Sequence, residues 1–404
     1  MLVAAAFLAI AAVVAALTVA GRTNGPWAAL HLVLAGAAGC AIAAVLPFFT
    51  AALAQVAPAS PRIRIGAIAS IAVATLAITI GVSVGATGVA ALGGLAYLLG
   101  LGLVAVAVFV PLRSALGRRS TLVVVAYGSA LAQVAIGVGL ATSMVAGWGP
   151  VTTQWAALKP AHAWLNVFGF LSVVIAATLI HLGPTVAGTR IRTRRSSTVA
   201  LVALLAGAPA IAIGFAAGWD AIGRVGAVLE IIGSAALVVH GMEVRREPGS
   251  WTTDLGWHRF AIDSLSAAPV WFLIGTSIAA GRILWLGAVP GAWSLAVIGI
   301  PLALGWTVQV LVGAWTHLVP AIGPGDPAVH APQRRILGRW GRLRFASWNG
   351  GVALLIVGAV TGVDAATALG VVGILATLAV HLGLLVGAVA TAARRAPMVA
   401  AVRS

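Results

Sequence analysis

A chain of 404 residues that is 61% hydrophobic and 8% charged, with a mean hydropathy of +1.09, is excluded from the soluble globular proteins and reads as an integral membrane chain. Its formal net charge of +16 raises nucleic acid as a partner, but the basic residues are spread over short loops between apolar runs, which excludes that class too. The lone cysteine, Cys40, leaves no intramolecular disulfide and no thiolate cluster.

Apolar runs of about 20 residues cross a hydrocarbon core of roughly 30 Å. Such runs fall near 1–20, 27–54, 65–86, 88–112, 121–146, 162–187, 198–217, 221–243, 260–281, 293–319, 346–362 and 365–391. The expected fold is all-α: a polytopic transmembrane helical bundle of about twelve helices, a single membrane domain over 1–404. Residues 1–20 have full span length and no basic n-region, so they read as the first helix and not as a signal peptide. Loops are short apart from 147–161, 243–260 and 320–345.

Arg62, Arg64, Arg113, Arg118, Arg119, Arg190, Arg192, Arg194, Arg195, Arg245, Arg246, Arg259, Arg334, Arg335, Arg339, Arg342, Arg344, Arg394, Arg395 and Arg403 fall on one side of the twelve spans, against Arg22, Lys159, Arg224 and Arg282 on the other. The positive-inside rule then predicts a multi-pass protein of the bacterial plasma membrane with both termini cytoplasmic, its basic face against anionic lipid headgroups.

Six of the eight histidines lie in apolar spans, all on even-numbered ones. His31 opens the second span beside Trp27. His162 opens the sixth, with Asn166 one turn on, and His181 closes it in HLGPT. Glu230 lies mid-span in the eighth, ten residues before His240. His317 closes the tenth in HLVPA, a match to HLGPT, and His381 lies in the twelfth. Asp263 and Asp364 sit near the starts of the ninth and twelfth spans, and His258 and His330 read as solvated loop residues. At 1.5 Å per residue, His162 and His181 are about 28 Å apart along one helix and cannot share a metal.

His31 and His162 therefore form an outer layer, and His181, His240, His317 and His381 an inner one. Imidazoles on facing helices are the usual ligands of haem iron and copper, so the expectation is haem b at two of His181, His317 and His381, with His240 in the same layer, and a metal at His31 and His162. The bland alternatives are a hydrogen bond to a backbone carbonyl or the capping of a helix end for each histidine, and an interfacial position for His31. Proline after His181 and His317 is expected to end or kink the helix. Glu230, an ionisable group at bilayer depth, is the proton-relay candidate, with pairing to an interior Arg or amide as the alternative. The second, sixth and tenth spans share a proline at the inner end (VLPFF, HLGPT, HLVPA), while the eighth and twelfth share a late histidine, a three-times-four-helix pseudo-repeat.

The phrase AHAWLNVFGFLSVVIAATLIHLGPT, with the twelve-span layout and the four-helix period, resembles the superfamily of haem-copper oxidase catalytic subunits, which includes nitric oxide reductases, and also the NnrS-type haem- and copper-containing membrane proteins. The resemblance implies a low-spin haem ligand at His31 and a copper ligand at His162. It departs from the family in three places: the tenth span opens WSLAVIGIPLALGW without an outer histidine pair, no His-His dipeptide follows the seventh span, and neither Tyr97 nor Tyr127 lies on the sixth. A complete oxygen-reducing centre is not expected. The implied function is electron transfer, with quinol or a periplasmic copper protein as redox partner, or nitric oxide or copper handling. The alternative is a metal-free transporter or membrane scaffold descended from the same fold.

Overall fold

The computed structural model describes the backbone of residues 1–22, 25–115, 121–249, 252–253, 255–293, 298–322 and 327–402, and within these the side chains other than 255, 322, 327–329 and 392–402. Arg118, Arg119 and Arg403 of the basic face, the side chains of Arg394 and Arg395, and part of the WSLAVIG stretch lie outside the described residues. Among the described residues there is no strand, and twelve helices are long and apolar enough to cross a membrane: α1 (Leu2–Val19), α2 (Trp27–Ala54), α3 (Pro61–Ser83), α4 (Thr87–Leu112), α5 (Thr121–Val145), α6 (Trp155–Ala187), α7 (Arg195–Ala217), α8 (Asp220–Arg246), α9 (Gly256–Leu286), α10 (Gly299–Ala321), α11 (Gly341–Thr361) and α12 (Asp364–Thr391). This is a multi-pass membrane bundle. Large apolar side chains such as Leu92, Leu99, Val360 and Val372 stand exposed on its helices, as a lipid-facing surface requires.

Several boundaries differ from the hydropathy reading, and two of the shifts take interior polar residues into a helix. α6 begins at Trp155, through Lys159 and Pro160, and the Lys159 ammonium rests 5.2 Å from the centre of the Trp293 ring. α9 extends back to take in Trp257 and His258. In both places polar residues interrupt the apolar run while the backbone stays helical. Helices also continue past both HLxP prolines, to Ala187 beyond Pro184 and to Ile322 beyond Pro320, so these prolines do not end them. Interior prolines are tolerated in membrane helices when neighbouring groups re-satisfy the backbone.

Packing divides the chain into two compact units. The first comprises Met1–Thr178, Thr193–Leu237 and Thr276–Val297; the second comprises Leu179–Arg192, Val238–Gly275 and Ile298–Ser404. In the first, α3 and α4 approach over small residues: a Cβ added at Gly100 would lie 2.7 Å from Cγ1 of Ile71. In the second, the core is aromatic, with Trp306 and Trp315 fully buried and Phe272 stacked on Trp306 at 4.7 Å. A helix at Pro327–Leu337, in the loop between α10 and α11, packs on both α10 and α12, and Gln333 Nε2 donates to the Ala388 carbonyl at 3.1 Å.

Three of the membrane helices are not α-helical throughout. π-Helical stretches occupy Leu32–Ala38 of α2, Leu165–Ser172 of α6 and Gly299–Val308 of α10. The π-helix is rare and concentrates at functional positions. Its recurrence in helices 2, 6 and 10 follows the four-helix period of the sequence. In each stretch a hydroxyl donates to a carbonyl of the widened turn: Tyr97 to Ala35 at 3.1 Å, Ser172 to Val167 at 2.9 Å, and Thr307 to Leu302 at 2.9 Å. The last two reach back five residues, the π-helical step.

Candidate functional site

At the end of the first unit remote from the arginine-rich loops, α2 and α6 each carry a histidine at the entrance to a π-stretch. His31 immediately precedes Leu32, its ring stacked on Trp27 at 4.1 Å, and its Nδ1 lies 2.9 Å from the Trp27 carbonyl oxygen. His162 stands three residues before Leu165, and its Nδ1 lies 2.8 Å from the Gly137 carbonyl oxygen of α5. A carbonyl oxygen only accepts, so a proton on Nδ1 serves the His31 contact and leaves its Nε2 lone pair free, while Nδ1 of His162 faces both such an acceptor and the Asn166 amide nitrogen, a donor. A second N–H donated to a backbone carbonyl is how metal-binding imidazoles are oriented.

Asn166 lies where its spacing from His162 predicts, its Nδ2 donating to the His162 carbonyl at 2.7 Å and resting 2.9 Å from the ring Nδ1. Gly137 makes the room: a Cβ there would stand 2.6 Å from that same Nδ2. Both residues are half-buried, and the two π-stretches that follow them touch. Among the described residues no group of three or more His, Cys, Asp or Glu side chains converges to hold a metal.

The second unit brings together residues that the sequence left apart. His317 stacks on Trp257 at 5.1 Å with the rings 13° from parallel, and the His258 ring lies 5.8 Å from that of His317. Trp257 Nε1 donates to the Thr316 carbonyl at 3.0 Å, and the Arg334 guanidinium covers the Trp257 ring at 4.3 Å. His258, expected to be solvated, is 8% exposed, and His330 is half-buried on the Pro327–Leu337 helix. The reason is tertiary: that helix packs on α10 and α12. Trp257, His258 and Arg334 are therefore site residues that sequence reasoning missed, and the WHRF run at the head of α9 was the one available signal.

Arg344 was counted only as a basic-face charge, yet it is 3% exposed and donates to three acceptors: the Arg339 carbonyl at 3.0 Å, the Leu337 carbonyl at 2.5 Å and Nδ1 of His381 at 2.9 Å. A guanidinium can only donate, so His381 Nδ1 is an acceptor and its proton sits on Nε2. Neither nitrogen then offers a lone pair to iron. The cavity beside this ring is small. His381 does not fit the haem-ligand role expected of it. His181, half-buried on α6, and His240, 3% exposed on α8, belong to the same unit, and the His181 carbonyl accepts from the Thr185 hydroxyl at 2.8 Å.

Of the carboxylates, Asp263 accepts from Arg245 at 2.6 Å with Arg259 3.7 Å away, and Asp220 bridges Arg224 and the Ala288 amide at 2.7 Å each. Glu230 differs: it is fully buried, its carboxyl would lie 2.8 Å from a Cβ added at Gly207, and neither oxygen has a side-chain hydrogen-bond partner. Among the described residues no Arg or side-chain amide pairs with it, and the backbone amide of Ala208 is its one polar neighbour. No protein-family model matches the chain, and no curated protein matches it in sequence.

Proposed function

We propose that this membrane protein binds copper at His31 and His162 and serves electron transfer, or copper or nitric oxide handling, on a bundle of haem-copper oxidase-like layout that lacks a complete oxygen-reducing centre. The observation that carries the reading is the shared orientation of the two imidazoles: each sets Nδ1 against a backbone carbonyl, which leaves Nε2 for a ligand bond. Imidazole suits copper among the first-row metals, and copper held there would supply one-electron chemistry. The bundle then sits in the bacterial plasma membrane with both termini cytoplasmic, the copper site faces the periplasmic half, and quinol or a periplasmic copper protein is the redox partner. Haem b stays in this reading only with an axial pair drawn from His181, His317 and His240, because His381 is committed to Arg344.

The runner-up, a metal-free transporter on the same fold, is favoured by one observation, the buried carboxyl of Glu230 without a side-chain partner, which suits proton coupling. Metal analysis and visible absorption of the detergent-purified protein separate the two. The expected result is about one copper per chain, lost in both His31→Ala and His162→Ala, as a two-imidazole site demands. Copper-loaded protein that retains no copper, or retains it equally in both variants, removes the metal reading. A haem spectrum surviving His181→Ala, His317→Ala and His240→Ala alike removes the haem part.

A further inference from the structure

Between the Pro327–Leu337 helix and α11 the chain turns through Gly338, Arg339 and Trp340. Trp340 has φ +52° and ψ +29°, the left-handed region, which is strained for a bulky side chain and free for glycine. Such a conformation persists where neighbours fix it. Here the buried Arg344 does so from inside. Its guanidinium donates to the Leu337 and Arg339 carbonyls, just before Trp340, and its backbone amide donates to the Trp340 carbonyl at 2.9 Å. The turn also sits directly on the head of α9: a Cβ added at Gly338 would lie 2.5 Å from the Gly256 carbonyl oxygen, and one at Gly341 would lie 3.3 Å from Cβ of Phe260.

The strain brings no burial of the indole. Trp340 is 61% exposed and Leu343 70% exposed, and Arg335, Arg339 and Arg342 beside them in the chain are exposed too. From Pro327 to Val363 the sequence holds no acidic residue to pair with these arginines. α11 has 21 residues, so it is about 32 Å long and matches a hydrocarbon core of roughly 30 Å. Trp340, which immediately precedes it, therefore stands where hydrocarbon gives way to headgroups. Indoles concentrate at that level, and guanidinium groups pair with phosphate there.

We propose that this turn is an anchor that binds anionic phospholipid headgroups. Trp340 and Leu343 enter the interfacial layer, and Arg335, Arg339 and Arg342 pair with the phosphates. A free phosphate would leave both apolar side chains in water, and an acidic protein segment would not account for their place at the end of a membrane span. The anchor lies wholly in the second unit and needs no metal. It also differs from basic loops in general: Arg190, Arg192 and Arg195 between α6 and α7 are equally exposed, but no tryptophan stands among them.

Native mass spectrometry of the detergent-purified full chain, titrated with phosphatidylglycerol or with phosphatidylcholine of the same acyl chains, tests the assignment. The expected result is preferential retention of phosphatidylglycerol. The triple variant Arg335→Gln, Arg339→Gln and Arg342→Gln is to weaken it by about fivefold for each arginine, the worth of a basic group near an anionic surface. The triple variant Arg190→Gln, Arg192→Gln and Arg195→Gln, which removes the same charge, is to weaken it far less. Trp340→Gly is to weaken lipid binding without lowering resistance to chemical unfolding, because glycine accepts the left-handed conformation freely. Equal retention of the two lipids overturns the proposal, as do equal losses in the two triple variants or displacement of the lipid by inorganic phosphate. Should the first triple variant fail to fold, Trp340→Gly decides alone, and wild-type lipid affinity there again overturns the anchor.

Discussion

At the scale of single residues the outer site depends on a glycine as much as on its imidazoles. Gly137 supplies the carbonyl that orients His162 and the empty space that Asn166 fills. In Gly137→Ala the new Cβ, 2.6 Å from Asn166 Nδ2, forces that amide away and disturbs the ring it touches. Loss of a group that orients a metal-binding imidazole lowers affinity about 10- to 100-fold. Copper titration of Gly137→Ala against wild type is to show a drop in that range, and an unchanged affinity contradicts the role given to Gly137. Arg344 allows an equally direct test. Arg344→Lys keeps the charge but cannot serve three acceptors in a fork, so buried acceptors lose their donor at a cost of about 1–3 kcal/mol. Chemical unfolding in detergent is to show that loss for Arg344→Lys and almost none for the exposed Arg342→Lys.

At the scale of elements, the π-stretches are held by hydroxyls, and this too is measurable. Ser172 and Thr307 donate five residues back to carbonyls of a widened turn, whereas Thr142 donates four residues back inside an ordinary α-helix, at 2.8 Å to the Val138 carbonyl. Ser172→Ala and Thr307→Val are expected to cost about 0.6–1.7 kcal/mol each, the span of hydrogen bonds measured within membranes. Thr142→Val is to cost less, because its carbonyl partner keeps an α-helical amide. Equal effects in all three would mean that the π-stretches do not need these hydroxyls. Hydropathy was sufficient for the number of helices, and the Trp27–Ala54 span agrees at both ends. It failed at Trp155 and at Trp257, where Lys159 and the WHRF run break the apolar pattern without breaking the helix. The π-stretches could not be read from composition, since LVLAGAA and GIPLALGWTV would suit an α-helix equally; only their period-four placement has a trace in the sequence.

At the scale of the whole molecule, what was legible followed from local chemistry, and what was not came from packing between distant segments. The four-residue spacing of His162 and Asn166 told that they share a helix face, and the structure brings them into contact. Nothing local told that Arg344 would bury against His381, 37 residues on, or that the Pro327–Leu337 helix would pack on α10 and α12 beside His258 and His317. The orientation of the bundle rests on charge, and here the structure sharpens the sequence argument. Of the four basic residues on the minority side, Arg224 is paired with Asp220 and donates to the Leu284 carbonyl at 2.6 Å, Arg282 is occupied by the Ala292 and Gly291 carbonyls, and Lys159 lies over Trp293. These side chains are occupied next to their own helix ends, whereas the loop between α6 and α7 exposes Arg190 and Arg192, with Arg194 half-buried after them. Such a loop resists translocation, and α6 is long and apolar enough to cross, so the segments before and after it are expected on opposite sides. Reporter fusions at Thr152 and at Arg194 are therefore expected to give opposite locations, with Arg194 cytoplasmic. The same location at both positions would mean that α6 does not cross the membrane, and the assignment of His31 and His162 to one face and His181 and His317 to the other would fall with it.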